Sequence, residues 1–201
     1  MGQLSWNCQF FQYLQQIDQL AERIRHDKEL VRSVEYATQC LISTLGTGHK
    51  ILIAGNGGSA AHAQHFAAEL VGRFARERRA LPALALTTDT SIITAWSNDY
   101  SFGDIFARQI MALGTQGDIF IALSTSGNSP NIIAARNAAR SRNIDTMCLL
   151  GKGGGKLLEI RGKEHCIVVP SDSTQLVQDA HQWILHHWCA AIDEAFAPME
   201  K

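Results

Sequence analysis

The sequence predicts an α/β fold: a doubly wound, five-stranded parallel sheet with an N-terminal helical arm before it and a long C-terminal helix after it. Three observations predict this. Five short apolar runs, Ile51–Ala54, Ala83–Leu86, Ile119–Leu123, Met147–Leu150 and Cys166–Val169, lack polar alternation, as strands covered by helices on both faces do. Helix-patterned stretches lie between them. Two of the runs end in polar, glycine-bearing turns, the place where open parallel sheets hold ligands.

Taken in order, the stretch from Asn7 to Leu45 reads as helical, with Leu14, Ile17, Leu20, Ile24, Leu30, Val31 and Val34 at three- and four-residue steps. Gly46-Thr47-Gly48 ends it. Helices are expected at Ser59–Phe74, Ser91–Ser97, Phe102–Leu113, Asn131–Arg142 and Leu157–Arg161, and the last at Thr174–Phe196. The 201 residues suit one domain, with 1–45 as the arm and 46–201 as the α/β core.

Apolar residues make up 46% and charged residues 18%, and the formal net charge is −1. No basic field exists to attract nucleic acid or an acidic membrane surface. No run reaches the length of a membrane span, and the polar start MGQLSWNCQF has no signal-type apolar stretch. Five cysteines without a CxxC pair read as reduced thiols of a cytoplasmic protein. A small anionic substrate must therefore be held by local chemistry.

Two turns offer it. Gly55-Asn56-Gly57-Gly58-Ser59 follows the first strand, and Ser124-Thr125-Ser126-Gly127-Asn128-Ser129 follows the third. Each opens a helix, whose free N–H groups and positive dipole end hold an anion without a lysine. Hydroxyls of Ser124, Thr125, Ser126 and Ser129 add donors, so a phosphate fits. Taken singly, either turn is explained by N-capping and tight-turn preference; two at one sheet edge point to a ligand. Neither is GxGxxG nor GxxxxGK[ST], so a dinucleotide or triphosphate cradle is unsupported. Gly151-Lys152-Gly153-Gly154-Gly155-Lys156 reads as a flexible surface turn rather than a segment that closes over a ligand.

His65 and Glu69 stand four apart, on one face of the helix opening at Ser59. Such a pair suits a divalent metal such as zinc, although exposed His/Glu pairs are common on helices. The final helix adds Gln178, Asp179, His181, His186 and His187, and pattern alone does not choose among them. Arg73, Arg76, Arg78 and Arg79 around Glu77 read as a solvated turn or subunit contact.

Four stretches, GNGGSAAHAQHFAAEL, LTTDTSIITAWSNDYSF, ALGTQGDIFIALSTSGNSPNI and VQDAHQWILHH, resemble the sugar-isomerase (SIS) domain family, and within it the sedoheptulose-7-phosphate isomerases, or phosphoheptose isomerases. The resemblance runs from the helical arm to about Ala197 and implies a flavodoxin-like fold. It implies that Asn56, Gly57, Gly58 and Ser59 lie at the substrate, that Asn98 and Asp99 meet sugar hydroxyls, and that Ser124, Thr125, Ser126 and Ser129 hold the phosphate. It selects His65, Glu69, Gln178 and His186 as ligands of one divalent metal per subunit, zinc by expectation. Glu69 and His186 are then the proton-transfer pair, and Glu69 and Gln178 also touch substrate. Two departures stand out: His62, where relatives carry Asp or Asn, and Asp179, where Glu follows the glutamine.

The implied reaction converts sedoheptulose 7-phosphate to D-glycero-D-manno-heptose 7-phosphate through an enediol, an early step toward the heptose of lipopolysaccharide. A second reading is a non-enzymatic SIS protein that binds the bacterial replication initiator; that group lacks the equivalents of Glu69 and His186. The resembled family is homotetrameric. Gln178 and His186, eight apart on one helix, would stand about 12 Å apart along its axis, so a neighbouring subunit is expected to supply one of them or part of the sugar pocket.

Overall fold

The computed structural model describes residues 6–198; the rest of the expected 1–201 domain lies outside the described residues. The elements run α1 (Trp6–His26), α2 (Lys28–Gly46), β1 (Ile51–Ala54), α3 (Gly58–Val71), β2 (Ala83–Ala85), α4 (Thr90–Asp99), α5 (Ile105–Leu113), β3 (Ile119–Ser124), α6 (Pro130–Ser141), β4 (Asp145–Leu150), α7 (Gly155–Glu159), β5 (His165–Val168) and α8 (Thr174–Phe196).

The strands form one parallel sheet in the order β2-β1-β3-β4-β5. The predicted runs are its strands; β1 matches at both ends and the others differ by at most two residues at an end. Alternation along each strand feeds two cores. Ile51, Ile53, Ile119 and Ile121 join Leu41, Phe66, Val177 and Trp188 on the face covered by α2, α3 and α8. Leu52, Ala54, Phe120 and Ala122 join Phe106, Ile110, Ile132 and Ala135 on the face covered by α5 and α6. Burial on both faces explains why the strands carry no polar alternation.

Two expectations change. The helical stretch before Leu45 is broken by Asp27, whose carboxylate accepts from the Glu29 and Leu30 amides at 3.1 and 2.9 Å and so caps a new helix. Only α1 behaves as an arm, with Phe10, Phe11 and Leu14 exposed; Leu30, Ala37, Leu41 and Leu45 of α2 are buried in the core. Among the described residues no helix is long and apolar enough to cross a membrane.

The winding direction reverses between β1 and β3, which are neighbours in the sheet. Their carboxyl ends carry the two small-residue turns, so both open into the crevice at the topological switch point.

Candidate active site

The turn after β1 enters α3 through Gly57, whose φ of 54° and ψ of −122° suit a residue without Cβ. A Cβ at Gly58 would lie 2.6 Å from the Gln178 amide nitrogen, so any larger residue there would displace that side chain. Ser59, next in line, is buried.

The turn after β3 braces itself. Ser124 is buried; its Oγ accepts from the Gly127 amide at 3.1 Å and lies 3.1 Å from Ser129 Oγ. Ser126 Oγ accepts from the Asn128 amide at 3.2 Å. Ser129 is the N-cap of α6 and makes no side-chain capping bond, which leaves its hydroxyl free of that task. Asn131, unremarked in the sequence, is buried and exchanges amide hydrogen bonds with Asn56, both at 2.8 Å. The two turns are thereby one structure.

The glycine segment after β4 is not a loose turn. Lys152, Gly153, Gly154 and Gly155 all have positive φ, and the segment packs on the serine turn: the Leu157 amide donates to Gly127 O at 2.9 Å and the Lys156 amide to Asn128 Oδ1 at 2.9 Å. It forms one wall of the same crevice.

α3 and α8 lie side by side. Gln178 meets Gly58 at the start of α3, His186 Nε2 lies 3.2 Å from His65 Nε2 two turns further on, and Phe66 packs edge-on to Trp188. His65 Nε2 is 3.5 Å from Glu69 Oε1. His65, Glu69 and His186 therefore cluster, whereas the Gln178 amide sits over Gly58 at the start of α3. Gln182, unforeseen, places its Nε2 2.6 Å from His186 Nε2. Asn98 and Asp99 are exposed at the end of α4, where the Asn98 amide donates to Asp99 at 2.8 Å.

The donor chemistry of the cluster fits zinc. Two Nε2 atoms that face each other cannot both carry protons favourably, so at least one offers a lone pair. Nitrogens on one tetrahedral zinc, bound at about 2.0–2.1 Å, stand roughly 3.3 Å apart, close to the observed 3.2 Å. The full ligand set is not preassembled: among the described residues no three His, Cys, Asp or Glu side chains form a ready cage.

Both departures from the family pattern lie beside this cluster. Burial lowers the His62 pKa, nearby His65 and His186 act in the same direction, and Asp179 opposes them. Among the described residues no partner reaches the buried His62 Nδ1. Asp179 accepts from Tyr13 of α1, and this bond pushes the tyrosine up to about 12. His181 is fully buried; its Nε2 lies 3.1 Å from Leu150 O, and burial pushes its pKa down to about 4.

The arginine run is also more than a solvated turn. Arg73 and Arg76 pair at the surface with Glu77 and Glu194, but Arg78 is wholly buried with Asp193 of α8.

Comparison with known proteins gives concordant results. The SIS domain family profile matches residues 12–151. A phosphoheptose isomerase of Campylobacter concisus is 50% identical over 83% of this chain and 87% of its own length. The structure of a phosphoheptose isomerase from Francisella tularensis superposes with a TM-score of 0.90 at 35% identity, covering 96% of this chain and 100% of the other. That of the phosphoheptose isomerase from Neisseria gonorrhoeae gives 0.86 at 37% identity, covering 92% and 97%.

Proposed function

The chain belongs to the SIS domain family and, within it, to the phosphoheptose isomerases, and from that premise we propose that it interconverts sedoheptulose 7-phosphate and D-glycero-D-manno-heptose 7-phosphate in the cytoplasm. The observation that carries the reading is the approach of His65, Glu69 and His186 two to three turns along α3 from the two joined turns. At 1.5 Å per residue this is about the separation between a sugar's phosphate and its carbonyl end.

The phosphate is held by Ser124, Thr125, Ser126 and Ser129, with the start of α6 supplying its dipole. Asn56, Gly57, Gly58, Ser59 and Gln178 flank the chain of the sugar, and Asn98 and Asp99 serve its hydroxyls. In the ketose-to-aldose direction Glu69 takes a proton from C1 and, after its carboxyl has exchanged with solvent, delivers a proton to C2, while His186 moves the proton from O1 to O2 by way of the enediol. His65, Glu69, Gln178 and His186 would hold one divalent metal, zinc by the chemistry of the set. Such an ion would polarise the substrate oxygens. The working unit is a homo-oligomer, a tetramer by family likeness. The initiator-binding alternative gives no reason for the His65–His186 approach.

The test is turnover of sedoheptulose 7-phosphate by metal-analysed protein in D2O, followed by NMR. Aldose product with solvent deuterium at C2 is expected. Metal-replete, folded protein that forms no aldose would overturn the assignment.

A further inference from the structure

Arg78 and Asp193 lie outside the catalytic cluster yet tie together the two helices that carry it. The Arg78 guanidinium reaches the end of α3: Nη2 donates to Glu69 O at 2.6 Å, and Nη1 to Leu70 O at 2.9 Å and Gly72 O at 3.1 Å. A cation on the last carbonyls satisfies groups that a helix end leaves unbonded and complements its dipole. One of those carbonyls belongs to Glu69 itself.

Asp193 holds the other side. Its Oδ1 accepts from Arg78 Nε at 2.8 Å, and its Oδ2 accepts from the Ala75 and Arg76 amides at 2.6 and 2.8 Å. Burial opposes ionisation, but the Arg76 and Ala75 amides and the Arg78 guanidinium outweigh it and hold the carboxyl below its usual range. The loop so fixed carries Phe74, whose ring lies 5.6 Å from that of His186. Asp193 also stands two turns beyond His186 on α8.

We infer that the buried Arg78–Asp193 pair is a positioning device that sets Glu69 through its own carbonyl and His186 through Phe74, and with them the separation of α3 and α8 at the cluster. The inference rests on Glu69 and His186 being the proton-transfer pair. It explains why two ions are kept where apolar residues would pack as well: a fan of donors fixes a helix end in a way that hydrophobic contact does not.

The test compares wild type with R78K, D193N and the double variant R78M/D193L, which leaves neither ion unpaired. Thermal melting and circular dichroism give the folded fraction. For folded R78M/D193L, kcat should fall by about tenfold or more, while KM moves by less than about twofold, because the phosphate turns at the far end of α3 are untouched. R78K should not restore kcat, since an ammonium cannot span three carbonyls. Should the double variant fail to fold, D193N carries the same comparison. Wild-type kcat in a folded variant, or rescue by R78K, would overturn the positioning role. Histidine-labelled NMR of metal-free protein adds a readout independent of turnover: the ring signals of His65 and His186 should shift in R78M/D193L, and unmoved signals would also overturn it. Shifted signals in a protein whose wild type forms no aldose would sink the isomerase reading and leave the positioning role standing.

Discussion

Asn56 and Asn131 face each other across the topological switch point with paired amides, each Nδ2 2.8 Å from the other's Oδ1. One residue belongs to the turn after β1 and the other to the first turn of α6, so this reciprocal pair fixes the separation of the two small-residue turns. Asn131→Ala strands the half-buried Asn56 amide. It should cost about 1–3 kcal/mol in denaturant unfolding and raise KM for the sugar phosphate more than it lowers kcat. An unchanged KM in the folded variant would separate the amide pair from substrate binding.

The serine turn makes a sharper demand. Ser124→Ala with Ser126→Ala removes two hydroxyls from the phosphate cradle and two turn-bracing acceptors, those of the Gly127 and Asn128 amides. Stability should drop by about 1–2 kcal/mol, the fold should persist, and KM should rise strongly. Normal affinity for the phosphosugar, measured by calorimetry, would remove this turn from the phosphate site.

These two cases show what the sequence made legible. Strand positions were readable because uninterrupted apolar runs follow directly from burial on both faces, and α8 was readable to its ends from its periodicity. The serine turn was readable because hydroxyls, glycine and a following helix are all local. Asn131 was not: its partner stands 75 residues away, and an asparagine at a helix start looks like any other. Arg78 was hidden in the same way within a run of charges, since only the tertiary position of Asp193 distinguishes a buried guanidinium from a solvated one. Asp27 was a local signal overridden by the apolar periodicity on either side of it. The glycine segment after β4 looked flexible because composition does not reveal that it packs on Gly127.

Glu69→Gln should abolish turnover while the protein stays folded and still binds sugar phosphate, because an amide cannot accept the proton from C1. An amide is also a weaker metal ligand, so metal content is measured on the same sample. Activity above a few per cent of wild type, more than the loss of about 10²-fold or greater expected for a missing base allows, would take Glu69 out of the base role.

Buried His181 predicts acid sensitivity. Its pKa falls from 6.5 to about 4 in the fold, so between those values the unfolded chain binds more protons. Stability is then complete above pH 6.5 and declines as pH falls toward 4, by up to about 3 kcal/mol. His181→Phe should flatten this part of the profile, although it loses the bond to Leu150 O and lowers stability at neutral pH. A slope between pH 6.5 and 4 that is equally steep in the variant would assign the effect to other groups, His62 first among them.

The last prediction concerns which chain supplies the reacting groups. Spacing along α8 puts Gln178 and His186 on one ion only if both are fully stretched, and favours a neighbour that supplies one of them or part of the sugar pocket. Within a single chain the structure brings His65 to 3.2 Å from His186 and to 3.5 Å from Glu69, while Gln178 lies over Gly58. With Glu69 and His186 as the proposed pair, both belong to one subunit, and a neighbour's share is left to the place of Gln178 or to the sugar pocket. Inactive Glu69→Gln and His186→Ala proteins, mixed under subunit exchange, should therefore regain no activity, because every site in the mixed oligomer still lacks one member of the pair. Recovery in proportion to the mixed species would show that the two residues meet across an interface, and that the intrachain contact is not the working one.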